Sequence, residues 1–90
     1  MDPPAPWTTT SDGKRWRVEV KSKDFLDALD LFREVGEVAE KLDHHPDLHL
    51  EGYRNVRIET WSHDAGRVTE RDARLAGRVT AILRARGLTT

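Results

Sequence analysis

Histidine is the residue whose type and spacing in this sequence most suggest chemistry. The chain has four histidines, and all of them lie within the 20 residues from His44 to His63. An imidazole donates and accepts protons near neutral pH, which makes histidine a common general acid or base. A lone histidine is more often a surface residue without a role. Four in one short segment favour acid–base catalysis as the first hypothesis.

Metal binding is the second chemistry that these histidines suggest. His45 and His49 are four residues apart, but Pro46 lies between them and argues against a helix. In an extended segment they stand about 13 Å apart, at roughly 3.3 Å per residue, which is too far for one ion. The spacing matches none of the usual zinc patterns, and we expect no functional metal site. One arrangement stays open, in which distant histidines converge with a neighbouring carboxylate: His44, His63 and either Asp43 or Asp64.

Other kinds of functional site have weaker signals. The chain has no cysteine, which excludes disulfides and thiolate metal sites. No serine stands in a Gly-x-Ser-x-Gly setting, and the glycines are scattered rather than gathered in a phosphate loop. Acidic residues interrupt the basic side of the last predicted helix, and the net charge is −1, so we expect no direct nucleic-acid binding. The arginines of that side are Arg71, Arg74, Arg78, Arg84 and Arg86.

The chain is long enough for one domain with a modest core, since it has 90 residues. Residues 1–6 hold three of the four prolines and predict a flexible lead-in to a domain over residues 7–88. No apolar run approaches the roughly 18 residues of a membrane span, and no signal-peptide pattern is present, so we expect a cytoplasmic protein. Arginine outnumbers lysine 11 to 4, which is typical of a GC-rich bacterial genome.

The first elements that must position the histidines are a hairpin and a helix. Threonines 8–10 favour a strand, Asp12-Gly13 is a two-residue turn signal, and residues 15–21 alternate as a second strand, with one face formed by Trp16, Val18 and Val20. A helix is predicted from about Asp24 to Asp43, capped by Ser22 or Asp24 and stopped before Pro46. Its apolar stripe is Phe25, Leu29, Phe32, Gly36, Ala39 and Leu42, widened by Ala28 and Val35.

The remaining elements repeat this order. Residues 48–61 predict a second hairpin, with a turn at Glu51-Gly52 and one face formed by Val56, Ile58 and Thr60. Thr69 and Asp72 resemble a capping box, Gly87 ends the second helix, and its apolar stripe is Leu75, Ala76, Val79, Ile82 and Leu83. The order ββαββα predicts an α+β fold, a four-stranded antiparallel sheet with two helices packed on one face.

A long ordered motif joins these elements: Glu40-Lys41-Leu42-Asp43-His44-His45-Pro46, then Tyr53, then Trp61-Ser62-His63, then Asp72. An acidic residue, His-His-Pro, an aromatic residue, a third histidine and a later aspartate in this order resemble the signature of the pterin-4a-carbinolamine dehydratases. The resemblance runs from about Trp16 to Leu83. It departs at the front, where the family usually has a further helix and this chain has only its proline-rich lead-in.

The resemblance implies a hydro-lyase that removes water from a 4a-hydroxytetrahydropterin during pterin cofactor recycling. By resemblance, His44 and His63 handle the protons, and His45 binds and orients the pterin. Glu40 lies one helical turn before His44 and is expected to hold that ring. Trp61 or Tyr53 is expected to flank the pterin. The pterin is the substrate, and we expect no cofactor; Asp72 is expected to serve mainly the helix N-terminus.

Two further expectations concern partners. Members of the family form dimers and tetramers, and one sheet with helices on one face leaves its other face and its edges open. We therefore expect a homodimer or homotetramer that buries Trp61 and its neighbours on the helix-free face, and no membrane partner. The alternative function is a non-catalytic dimerisation, scaffold or assembly-chaperone protein of the same fold. The physiological pterin and the partner hydroxylase are left open by the sequence.

Overall fold

The computed structural model describes every residue from Met1 to Thr90. Its elements are β1 (Thr8–Thr9), β2 (Trp16–Lys21), α1 (Phe25–Leu42), β3 (Asp47–Glu51), β4 (Asn55–Thr60) and α2 (Glu70–Ala85). All neighbouring strands are antiparallel, in the order β1-β2-β4-β3. This confirms the predicted ββαββα order and α+β class. Neither helix is both long and apolar enough to cross a membrane.

The central pair of strands carries the core. Val18 of β2 stands opposite Ile58 of β4, and Val20 stands opposite Val56. Because side chains alternate along a strand, these residues share one face of the sheet. Both helices contribute to the cluster that buries this face, as predicted. Its fully buried members from α1 and α2 are Ala28, Leu31, Val35, Leu75, Ala76, Val79 and Leu83.

Local signals fix both ends of α1. The Asp24 carboxylate accepts a hydrogen bond from the Asp27 backbone N–H at 2.9 Å, so Asp24 is the N-cap. At the other end Asp43 takes a left-handed conformation, with φ 51°, which aspartate tolerates better than most residues. The His44 N–H then donates to the Ala39 carbonyl at 3.0 Å. The chain therefore turns out of the helix immediately before the two adjacent histidines.

The buried face of α1 differs from the predicted stripe. Ala28, Val35 and Ala39 are buried as expected, but Phe25 and Leu29 are exposed, and the core takes Leu31 and Val38 instead. The helix carries more apolar residues than one face can hold, so periodicity alone allows two overlapping stripes. Contact with the sheet and with α2 decides which stripe is covered.

The first hairpin is wider than the predicted two-residue turn. Thr9 pairs with Trp16, so the loop runs over residues 10–15. The Asp12 carboxylate accepts hydrogen bonds from the Thr10 hydroxyl at 2.6 Å and from the Lys14 backbone N–H at 3.0 Å. These local bonds satisfy Asp12 inside the loop and favour the longer connection.

The lead-in is attached to the core by Trp7, which is 3% exposed. Its indole Nε1–H donates to the Thr80 hydroxyl on α2 at 2.9 Å, and Thr80 donates to the Ala76 carbonyl at 2.7 Å. The Trp7 backbone N–H donates to the Pro4 carbonyl at 2.8 Å. Trp7 therefore packs against α2 and anchors the start of the chain to the core.

We expect Trp7→Ala to lower the free energy of unfolding by about 3–5 kcal/mol, because it opens a cavity in the core. Thr80→Val is the matched variant, since it keeps the volume and removes the hydroxyl that accepts from the indole N–H and donates to the Ala76 carbonyl. It should cost about 1–3 kcal/mol. Urea denaturation followed by circular dichroism measures both. A loss below about 1 kcal/mol for Trp7→Ala, far under the usual cost of such a cavity, would show that Trp7 is not part of the core.

Candidate active site

The site forms where α1 ends, β4 ends and α2 begins. His44 follows the left-handed Asp43 and is 8% exposed. Its Nε2 lies 2.6 Å from Oδ1 of Asp72 in the first turn of α2. The structure thus pairs a nearly buried imidazole with a fully buried carboxylate.

Asp72 is 0% exposed and accepts four hydrogen bonds. Its Oδ1 contacts His44 and accepts from the Thr60 hydroxyl at 2.5 Å. Its Oδ2 accepts from the Ser62 hydroxyl at 2.7 Å and from the Thr69 backbone N–H at 2.9 Å. The predicted capping box with Thr69 is confirmed. Capping uses only one of the four bonds, so the expectation that Asp72 serves mainly the helix end is too narrow.

The pKa of Asp72 lies below its usual value even though burial works in the opposite direction. Burial in a low-dielectric interior raises the pKa of a carboxyl group. The hydrogen bonds from Thr60, His44, the Thr69 N–H and Ser62 lower this pKa and outweigh that effect. Asp72 is therefore a buried carboxylate, and each of its oxygens accepts hydrogen bonds from two donors.

The expected partnership of Glu40 with His44 is wrong. The Glu40 carboxylate contacts Nε2 of His45 instead. One helical turn separates Glu40 from His44, but the left-handed Asp43 turns the chain, so His45 comes back over the last turn of α1. The side chains of His45 and Glu40 are 58% and 76% exposed, so water competes for this contact.

His63 lies in the loop after β4, and its ring is held against Trp61. The centroids of the two rings are 4.4 Å apart, with a tilt of 42° between the planes. The guanidinium carbon of Arg15 lies 5.2 Å from the Trp61 ring centroid and forms a cation–π contact. His63 is joined to the His44 cluster through its neighbour Ser62, which binds Asp72. Trp61 thus already packs against two side chains, and its predicted contact with a pterin stays a prediction.

A second buried carboxylate, Glu59, lies on the helix-free face of β4 and is 4% exposed. It accepts hydrogen bonds from Arg15 Nη1 at 3.1 Å and from Arg17 Nε at 2.7 Å. Burial raises the pKa of Glu59, but the two arginines outweigh it and hold this pKa below its usual value. Arg15 therefore connects Glu59 to Trp61, and through Trp61 to His63.

Two other candidates lie away from this cluster. Tyr53 is exposed in the β3–β4 turn, and Trp61 follows the other end of β4. The six residues of β4 separate the two side chains by about 20 Å, at roughly 3.3 Å per residue. The role of Tyr53 as a pterin contact has no support in the geometry of one chain and stays a prediction. His49 stands opposite Arg57 in the middle of the edge strand β3, away from the other histidines.

No three histidine, aspartate or glutamate side chains come together in a metal-binding arrangement. An open cavity of about 260 Å³ is lined by Leu42, Arg71 and Arg74, which directly flank the segments that carry His44 and Asp72. A larger cavity, of about 430 Å³, lies between α1 and α2 and includes Val38 and Ile82. No histidine lines either cavity, but the smaller one lies beside the segments that carry the His44–Asp72 pair. The histidine end of the molecule is the better candidate for acid–base chemistry.

Sequence reasoning missed the partners of Asp72 and the burial of Glu59. A signal for the first was present, because Thr60 and Ser62 continue the core-facing alternation of Val56 and Ile58 with hydroxyl groups. Two hydroxyls in core positions indicate a buried acceptor. Nothing in the local sequence distinguishes Glu59 from an exposed strand residue.

The fold and this cluster define a small α+β protein with a buried histidine–aspartate pair at the end of its sheet. A family model described as pterin 4 alpha carbinolamine dehydratase matches residues 2–82. The chain therefore belongs to the pterin 4 alpha carbinolamine dehydratase family, and the resemblance seen in the motif is confirmed.

Individual relatives agree with this family. Pterin-4-alpha-carbinolamine dehydratase 2, mitochondrial, of Arabidopsis thaliana is 47% identical over 66 residues, which cover 73% of this chain and 33% of the plant protein. A protein of Saccharolobus islandicus, whose name assigns the same activity provisionally, is 39% identical over 70 residues, which cover 78% of this chain and 70% of the archaeal protein. The chain thus spans only a third of the plant relative.

A solved structure has the same fold. The crystal structure of a transcriptional coactivator/pterin dehydratase from Brucella melitensis matches with a TM-score of 0.79 and 31% identity. The match covers 87% of this chain and 82% of the Brucella chain.

We expect Asp72→Asn to lower the free energy of unfolding by about 1–3 kcal/mol at neutral pH, because buried donors lose their acceptor. Since folding lowers the Asp72 pKa, the stability that the carboxylate contributes is present above its unfolded pKa and is lost as pH falls. The difference between wild type and variant should therefore shrink below about pH 4. Urea denaturation at several pH values measures it.

Asp64→Asn provides the control, because Asp64 is an exposed carboxylate paired only with Arg71. It should leave the free energy of unfolding nearly unchanged at neutral pH. A wild type and an Asp72→Asn variant that differed equally at about pH 7 and about pH 3, on either side of an ordinary aspartate pKa, would contradict the assignment of Asp72 as a buried carboxylate.

Proposed function

We propose that this protein is a hydro-lyase that removes water from a 4a-hydroxytetrahydropterin. The C4a–O bond breaks, and a proton delivered to the oxygen lets it leave as water. A proton leaves N5, and its electron pair forms the C4a=N5 double bond of the quinonoid dihydropterin. Two proton transfers and no change of oxidation state are required, and positioned imidazoles supply both.

The observation that carries this proposal is the His44–Asp72 pair within the matched family segment. The two residues are 28 positions apart in the sequence, yet the fold places His44 Nε2 at 2.6 Å from the Asp72 carboxylate. A nearly buried imidazole with one nitrogen bound to a carboxylate is a common arrangement for general acid–base catalysis. The names of the plant and Brucella relatives support the pterin as substrate.

The settings of the site residues support the roles that the family resemblance implies. His44, nearly buried, and His63, exposed beside Trp61, exchange protons with the substrate. His45 lies on the surface in contact with Glu40, and its exposure suits a residue that binds the pterin. A bacterial source, a cytoplasmic location and the absence of direct nucleic-acid binding stay predictions from the sequence.

His44→Ala and His63→Ala should each lower kcat by about 10²-fold, because acid–base groups act mainly in the transition state. His45→Ala should mainly raise KM, because it removes a contact that substrate and transition state share. The measurement is the dehydration of a chemically made 4a-carbinolamine followed by absorbance, corrected for the uncatalysed rate.

His49→Ala is the matched control, since His49 is a partly exposed histidine of the edge strand β3. It should leave kcat and KM unchanged. If His49→Ala were as damaging as His63→Ala while folding normally, the third histidine of the site would have to be reassigned to residue 49.

The proposed reaction needs neither a metal nor a cofactor, because imidazoles carry both protons. Activity should therefore survive exhaustive chelation unchanged. The check is kcat before and after treatment with a strong chelator, with zinc added back. Loss of activity that zinc restores would overturn the proposed chemistry.

We also propose that the protein is a homodimer or homotetramer. The helix-free face of the sheet is occupied largely by ion pairs among Arg15, Arg17, Arg57 and Glu59, so it is less suited to an apolar contact than the sequence suggests. Four of the six exposed large hydrophobic side chains lie elsewhere, at the start of α1 and on the edge strand β3: Phe25, Leu26, Leu29 and Leu48. Exposed apolar side chains and an open sheet edge both support association.

Light scattering should give a mass two or four times 10.3 kDa at micromolar concentration. Leu26→Glu should shift the mass towards the monomer, since Leu26 is 74% exposed and an acidic residue suits the first turn of a helix. Lys14→Glu, in the β1–β2 loop, is the control and should leave the mass unchanged. A wild-type mass near 10.3 kDa would contradict the proposal.

One observation favours a second candidate function, a non-catalytic role in protein assembly. The Brucella protein of the same fold is described as a transcriptional coactivator as well as a pterin dehydratase. The dehydration assay separates the candidates, because a scaffold protein would leave the rate at the uncatalysed level. The intact set of His44, His45 and His63 favours the enzyme.

A further inference from the structure

The two nitrogens of His44 have different surroundings. Nε2 faces Oδ1 of Asp72 at 2.6 Å. Nδ1 has no hydrogen-bond partner in the protein, and it is not among the fully buried nitrogens that lack one. Nδ1 therefore reaches the solvent side of the ring, whereas Nε2 points into the interior.

The hydrogen bonds of the hydroxyls around Asp72 indicate which group donates in the contact between Asp72 and His44. Ser62 donates its single hydrogen to Asp72, so the 2.7 Å contact between Ser62 and Thr69 is made by the Thr69 hydroxyl hydrogen. The Thr60 hydroxyl donates to Asp72 as well. A carboxylate only accepts hydrogen bonds, so the His44 Nε2 must carry a hydrogen.

We propose that Asp72 is a positioning residue that holds His44 with its hydrogen on Nε2, so that Nδ1 is the nitrogen that exchanges the proton with the substrate. In the neutral ring Nδ1 then has the lone pair that accepts a proton. When it does so, the positive charge of the ring faces the Asp72 carboxylate. The step on the pterin rests on the proposed function, whereas the tautomer of the free protein does not.

His45 provides the contrast within the same chain. Its Nε2 also contacts a carboxylate, that of Glu40, but both side chains are more than half exposed. Water competes with such a contact, and neither group has further bonds that fix its orientation. Asp72, by contrast, is held by donors from β4 and from the start of α2. The contrast therefore predicts a fixed tautomer for His44 and none for His45.

The direct test is the tautomer of each histidine in ¹⁵N-labelled wild-type protein, read from long-range ¹H–¹⁵N correlations at a pH where imidazoles are neutral. His44→Gln identifies the signals of residue 44 by their loss. We expect residue 44 to be protonated on Nε2 and residue 45 to show a tautomer mixture. A hydrogen on Nδ1 of His44, or a mixture there, would overturn the proposal.

Asp72→Asn tests the positioning role. Ser62 and the Thr69 N–H keep an oxygen on their side, so the amide NH₂ faces His44 and forces Nε2 to accept. His44 should then carry its hydrogen on Nδ1, and kcat should fall by about 10²–10⁴-fold, with KM changed less than about threefold. Unchanged kcat in a folded variant that has the reversed tautomer would refute the role.

Thr60→Val is the matched control, because it removes the other donor to Oδ1 and keeps the carboxylate. Its His44 should stay protonated on Nε2, with kcat reduced less than about tenfold, below the usual contribution of an acid–base group. A reversed tautomer in this variant would show that Thr60, rather than Asp72, determines which nitrogen of His44 carries the hydrogen. If the wild type lacked activity, the proposed function and the proton step would both fall, while the spectrum would still decide the tautomer.

Discussion

The buried carboxylate of Asp72 is the constraint on which the candidate site depends. An unpaired charge in a protein interior is very unfavourable, so the fold must bring donors to both oxygens. It does so from three places: the end of β4, the start of α2 and the segment that follows α1. Satisfying one side chain thus fixes how the two helices and the central strand meet. His44 is held at this junction because it is one of those donors.

The end of β4 distributes the site over both faces of the sheet. Alternation along the chain directs Thr60 and Ser62 towards Asp72, on the side that the helices cover. Trp61, between them, turns to the other side and meets Arg15, which also binds Glu59. His63 follows at once and rests on Trp61. Asp72 therefore contacts His44 directly on one face, whereas on the other face Glu59 reaches His63 only through Arg15 and Trp61.

The surplus of apolar residues on α1 has a different consequence. The sheet and α2 cover Leu31, Val35 and Val38, which leaves Phe25, Leu26 and Leu29 exposed in a single chain. An exposed group of apolar side chains is unfavourable in water and is commonly covered by association with another chain. The sequence suggests an interface on the helix-free face. That face carries ion pairs, so it does not expose apolar side chains in the same way.

The sequence alone determined the element order, the fold class, the capping box of α2 and the family, and it limited the N-cap of α1 to Ser22 or Asp24. These features depend on periodicity, turn residues and an ordered motif within short segments. The width of the first hairpin and the buried stripe of α1 were decided by contacts that local patterns do not specify. The same holds for the site. The motif identified His44, His45, His63 and Glu40, but only the tertiary structure paired Glu40 with His45 and His44 with Asp72. Hydrogen-bond partners far apart in sequence depend on how a chain packs, since a side chain bonds to whatever the fold places within about 3 Å of it.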